Sequence, residues 1–178
     1  MLTELRGQHG FSLVELMVTV AVLAVLMTLV APLGLDWIAN SRIRTASESM
    51  LAGLQLARAE AVRRNAPVEF VLESGSSAGW TVQMAHSGEE IQTRSGGEGT
   101  AQVTVTVTPA SADRISFDGL GRRTANADAS APIETISLDS ASLPAASSRD
   151  LRLQLGLGGQ ITLCDPNVTA TNDSRKCS

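Results

Sequence analysis

Hydrophobic and polar positions divide the chain into three stretches. Residues 1–10 form a short, mostly polar leader with Arg6 as its basic side chain. Between Glu15 and Asp36 lie twenty residues, Leu16 to Leu35, without a charge. As a helix they would be about 30 Å long, the thickness of a bilayer's hydrocarbon core. This run predicts a transmembrane segment over 16–35. After Trp37, which suits a membrane interface, the pattern becomes amphipathic. Ile43, Ala46, Met50, Leu54, Ala57 and Ala61 recur at three- and four-residue spacing and share one helical face. The polar faces carry Arg42, Arg44, Glu48, Arg58, Glu60, Arg63 and Arg64. One long helix is therefore expected over 11–65. A break or bend is expected around Pro32-Leu33-Gly34, because proline lacks a backbone donor and clashes with the preceding turn.

Beyond residue 66 the period falls to two. Short alternating runs predict strands at Val68–Leu72, Trp80–Met84, Gln102–Thr108, Arg114–Phe117, Glu134–Leu138, Leu151–Leu155 and Gln160–Leu163. In Gln102–Thr108 the valines should face a core and the threonines solvent or a neighbouring strand. Ser87–Thr100 and Thr124–Pro132 read as the longest loops and the candidates for mobility. The fold class expected is α+β: a long N-terminal helix whose second half packs on a head of two antiparallel sheets, spanning 66–178.

Composition adds limits. The chain has 178 residues, a net charge of -4 and 3% aromatic residues. An acidic chain poor in aromatic rings is a poor general nucleic-acid binder. Two cysteines and two histidines do not make a structural zinc site without carboxylate ligands. His86 lies in a turn-rich stretch without companion ligands. Gly156-Leu157-Gly158-Gly159 follows a strand, but no helix pattern follows it, so it reads as a turn rather than a phosphate cradle. No catalytic constellation stands out, and no enzyme, metal or cofactor is expected.

Gly10-Phe11-Ser12-Leu13-Val14-Glu15, followed by the apolar run, resembles the type IV prepilin cleavage motif. The resemblance implies that a prepilin peptidase cuts after Gly10 and N-methylates Phe11. It also implies a role for Glu15. A carboxylate at the apolar end of a membrane helix needs a partner, and in this family that partner is the free amine of Phe11 in a neighbouring subunit. Leu56 to Asn65, with Ala57-Arg58-Ala59-Glu60-Ala61, resembles the end of the long helix in the GspH/FimT-like branch of the pilins. Arg63 and Arg64 have two readings here: a contact to nucleic acid or another subunit, or cations that offset the helix dipole.

The resemblance implies a single pass through the inner membrane, a periplasmic head, and later residence in a surface filament. In that compartment Cys164 and Cys177 are expected to pair, closing a loop of twelve intervening residues; two free thiols are the alternative. A C-terminal disulfide of this kind is similar to the minor pilins of type IV pili, FimU-type subunits among them. The partners implied are prepilin peptidase and other minor and major pilins. Two alternatives come from the same superfamily: a FimT-like pilin that takes up DNA, and a GspH-like minor pseudopilin of a type II secretion system. The FimT-like group carries a GRxR-like basic motif near the C-terminus, where this chain has Gly159-Gln160-Ile161-Thr162, neutral at both basic positions. Arg122, Arg123, Arg175 and Lys176 are the remaining candidates for a nucleic-acid contact.

Overall fold

The computed structural model describes residues 11–73, 78–97, 99–100 and 102–177, with the side chains of residues 29–33 excepted. One helix, α1 (Leu13–Arg64), leads into nine strands. They are β1 (Val68–Leu72), β2 (Trp80–Met84), β3 (Glu90–Arg94), β4 (Val103–Thr108), β5 (Arg114–Phe117), β6 (Arg123–Thr124), β7 (Thr135–Ser140), β8 (Leu151–Leu155) and β9 (Ile161–Cys164). The chain divides into two units, Met1–Leu35 and Asp36–Ser178.

The first unit contains the start of α1, whose described side chains are exposed. Among the described residues no helix is long and apolar enough to cross a membrane. The uncharged run that carries the transmembrane expectation includes residues 29–33, whose side chains lie outside that set. The expected break at Pro32 is corrected. The backbone stays helical from Leu13 to Arg64, because a proline removes one hydrogen bond while the rest of the ladder remains.

In the second unit, five strands form one antiparallel sheet in the order β3-β2-β1-β5-β6, and four form another in the order β4-β7-β8-β9. The six positions expected on one helical face, Ile43 to Ala61, are all fully buried. They join Val68, Phe70, Trp80, Ile115 and Phe117 of the first sheet and Ile136, Leu138 and Leu153 of the second in one core. Burying each of the larger side chains, Ile43, Met50 and Leu54, is worth about 1.5–3 kcal/mol, while the alanines let the helix sit close to the sheets, so this stripe holds the helix to the head. Phe70 and Trp80 stack with ring centroids 5.7 Å apart, and Gly53 lets the helix backbone approach both rings. The alternation of β4 is as expected: Thr104, Thr106 and Thr108 are exposed while Val103 is buried.

Two strands were not legible. β3 lies inside the expected loop Ser87–Thr100. Its sequence, Glu-Ile-Gln-Thr-Arg, has one apolar residue because it is an edge strand, mostly exposed, stabilised by its ladder to β2. β6 is two residues long and pairs with β5 through Phe117 and Ser116. The second expected loop, Thr124–Pro132, is anchored rather than free. Asn126 is buried and donates to Arg114 O, Ser130 O and Ser130 Oγ.

Candidate functional site

The N-terminal candidates fall at the edge of the described structure. Gly10 lies outside the described residues. Phe11 and Ser12 precede the helix, and Phe11 is 82% exposed. Ser12 O accepts the N–H of Leu16 at 3.1 Å, which closes the first helical turn. Glu15 sits in that turn, exposed, where a carboxylate complements the positive end of the helix dipole.

At the other end of α1, Glu60 gathers both basic residues of the last turn. Arg63 Nη2 lies 2.6 Å and Arg64 Nε 2.8 Å from Glu60 Oε2. The Arg63 guanidinium, then that of Arg64, hold the Glu60 carboxyl down from 4.5 to about 2. Arg64 also reaches Glu89 at 3.7 Å. Both cations of the last helical turn are thus paired with one carboxylate of the preceding turn.

Cys164 and Cys177 are joined in a disulfide, with Cα atoms 5.0 Å apart. The loop they close is held further by backbone and side-chain bonds. Asp165 N donates to Arg175 O at 2.7 Å, Asp165 and Lys176 form a parallel bridge, and Asp173 accepts from Arg175 N, Nε and Nη2. The guanidinium of Arg175, then its N–H, hold Asp173 down to about 2.

The four basic candidates fall in two places along the chain. Arg122 and Arg123 stand at the β5–β6 turn, whereas Arg175 and Lys176 stand in the disulfide loop beyond β9. Arg122 grips Asp118 through Nε at 3.1 Å and Nη2 at 3.0 Å. The backbone N–H of Arg122, followed by its guanidinium, holds the Asp118 carboxyl below its usual range. Arg123 bonds the β8–β9 turn instead, through N to Leu157 O and Nη1 to Leu155 O. Arg175 lines a groove of about 320 Å³ between α1 and the disulfide loop, with Arg44, Glu48, Arg149 and Asp165. Neither Arg122 nor Arg123 lines it. Two of the four, Arg122 and Arg175, are thus each paired with an adjacent carboxylate.

Sequence reasoning missed two sites. Asn40 ties the helix to the β7–β8 loop, donating to Ser147 O at 3.0 Å and accepting from Arg149 N at 2.8 Å. Beside it, Ser148 Oγ lies 2.7 Å from Asp139 Oδ1 and 2.6 Å from Asp150 Oδ1. Burial first, and then the neighbouring Asp139 carboxylate, push Asp150 above the ordinary range. The second is Glu69, at a strand position that alternation assigns to solvent. It is 1% exposed, because the segment at Asn126–Asp128 folds over it. Ala127 N donates to Glu69 Oε1 at 3.3 Å, and Arg114 Nη1 lies 3.4 Å from Oε2. No local pattern announces this burial. Among the described residues, no group of His, Cys, Asp and Glu is arranged to hold a metal ion.

Comparison with known proteins gives this arrangement a family. A family model described as type II transport protein GspH matches residues 46–159, and one described as the prokaryotic N-terminal methylation motif matches residues 5–31. No curated protein matches the chain in sequence. Among solved structures it is similar to the type IV minor pilin FimU of Pseudomonas aeruginosa in two crystal forms. One has a TM-score of 0.53 at 18% identity, covering 73% of this chain and 96% of that one. The other has a TM-score of 0.50 at 18% identity, covering 71% and 99%. With the GspH match spanning its amphipathic half-helix and most of its head, and the methylation motif preceding it, the chain belongs to the GspH family and has the type IV pilin fold.

Proposed function

We propose that this chain is a minor pilin of a type IV pilus. On this reading, prepilin peptidase removes residues 1–10 and methylates the new amine of Phe11. The segment 16–35 holds the subunit in the inner membrane with its head in the periplasm. The subunit then joins other minor and major pilins to prime or cap the filament. The observation that carries the reading is the methylation motif over residues 5–31 joined to a GspH-family body. The likeness of that body to FimU supports the pilus assignment. The intact mass of the chain, from cells with and without the peptidase, tests it. The expected product begins at Phe11 with one added methyl group and appears in sheared surface filaments. An unprocessed chain in peptidase-positive cells would overturn it.

A second reading, a pseudopilin of type II secretion, is favoured by the description of the matching family as a type II transport protein. Deleting the gene separates the two. Loss of surface pili with secretion intact supports the first reading, and the reverse supports the second.

A further inference from the structure

Each sheet has two edges, and three of the four carry a device that discourages further pairing. β3 bears Glu90 and Arg94, and its register against β2 shifts between Val82 and Gln83. β6 is two residues long. β9 has four residues and runs directly into the disulfide loop, which bridges back from Lys176 to Asp165. Charge, irregularity, shortness and cover are the usual means by which sheet edges avoid pairing.

β4 has none of them. It is Val-Thr-Val-Thr-Val-Thr, six residues without a charge. Its register with β7 runs unbroken from Val103↔Ser140 to Thr108↔Thr135. Apart from that ladder, no hydrogen bond reaches the backbone of Thr104, Val105, Thr106 or Val107 among the described residues. A strand paired on one side leaves a row of N–H and C=O groups on the other, which is what strand addition uses.

We propose that β4 is a strand-addition site, and that its occupant is β4 of a second copy of this chain. The sequence reads compatibly against itself. Residues directly opposite in an antiparallel pair share a face. Centred on Val105, the pairing places Val103 opposite Val107 of the other copy and Thr104 opposite Thr106. The valines then continue the core side of both sheets and the threonines the solvent side. A centre between two residues would set Val against Thr and turn one sheet over, and a centre on Thr106 would bring Val103 opposite Pro109, which has no N–H to offer, so the Val105 centre is the favoured register. β-branched residues facing each other are favoured cross-strand neighbours. The strand is also a neutral place for two copies with a net charge of -4 to meet. Pro109, without an N–H, ends the ladder. The product is a continuous eight-stranded sheet of two copies.

The test uses the purified full-length chain in detergent, in which the native cysteines are already paired. Thr104→Cys and Thr106→Cys variants are oxidised mildly, alone and mixed. The expected result is several-fold more covalent dimer in the mixture than in either variant alone, with the link joining position 104 to position 106. A Thr106→Lys variant should sediment as monomer where the parent is dimeric, with unchanged far-ultraviolet circular dichroism and a melting temperature that no longer rises with protein concentration. Equal cross-linking in all three samples, a monomeric parent, or a dimer that survives Thr106→Lys would each overturn the proposal. The assay needs neither processing nor a filament, so its failure and that of the pilus reading are distinguishable.

Discussion

The indole N–H of Trp80 on β2 donates to the hydroxyl of Ser49 on α1 across 3.0 Å, with both residues buried. This bond joins the helix to the five-stranded sheet inside an otherwise apolar contact, and Gly53 lies one turn further along the same face. A buried donor stripped of its partner costs about 1–3 kcal/mol. Ser49→Ala should therefore lower stability by about that amount, while Ser49→Thr should retain more of it. Chemical denaturation of the two variants checks this, and Ser49→Ala unfolding like the parent would refute it.

Gly53→Ala is expected to destabilise even though alanine is the better helix former by about 1 kcal/mol. An added Cβ would lie 2.8 Å from Phe70 Cε2 and 2.9 Å from two atoms of the Trp80 indole. Both rings are packed in the core and have little room to retreat. Overpacking of this kind typically costs about 1–3 kcal/mol, so the net effect should be a lower melting temperature. A stabilised variant would show that the rings yield.

Removing the disulfide by Cys164→Ser with Cys177→Ser should cost about 3 kcal/mol, from the entropy of a loop this size. The loss should appear equally when the parent is reduced. Because the loop has backbone bonds of its own, the rest of the head should keep its fold, seen as unchanged far-ultraviolet circular dichroism before melting.

Acid should act on Glu60 with a defined sign. Its folded carboxyl is depressed from 4.5 to about 2 by Arg63 and Arg64, so folding favours the ionised form. The stabilisation is fully present above about pH 4.5 and is lost as pH falls toward 2. The stability difference between the parent and Glu60→Gln should be constant near neutrality and shrink steadily as pH falls from about 4.5 through about 2. Asp150 has the opposite sign. Its carboxyl is pushed up by burial and by Asp139, so its ionisation above the ordinary range works against folding. Asp150→Asn should raise the melting temperature at pH 7 and have little effect at low pH.

Glu15→Ala should leave membrane insertion intact and reduce incorporation into filaments strongly. Fractionation of cells and sheared filaments measures both, and normal incorporation would remove Glu15 from the assembly contact.

Where side chains repeat with a regular period, the architecture could be read in advance. The stripe from Ile43 to Ala61 and the Val/Thr alternation of β4 each state which face is buried, because helix and strand geometry convert spacing directly into direction. β3 could not be read this way. An edge strand in contact with solvent has no periodic apolar face to display, and its existence depends on the ladder β2 offers. Glu69 follows its strand's alternation and points away from the core side, yet residues about 58 positions later cover it.

The sequence by itself determined the amphipathic helix face, seven of the nine strands, the uncharged N-terminal run, and the motif around Gly10 and Phe11. Each is local, written in periods of two or 3.6 residues or in contiguous chemistry. Tertiary structure alone decided which strand edges are guarded and that β4 is not. It also decided that Glu69 is buried, and that Asn40 of the helix is tied to the β7–β8 loop. Those outcomes depend on which distant segments the fold brings together, and local spacing carries no record of that.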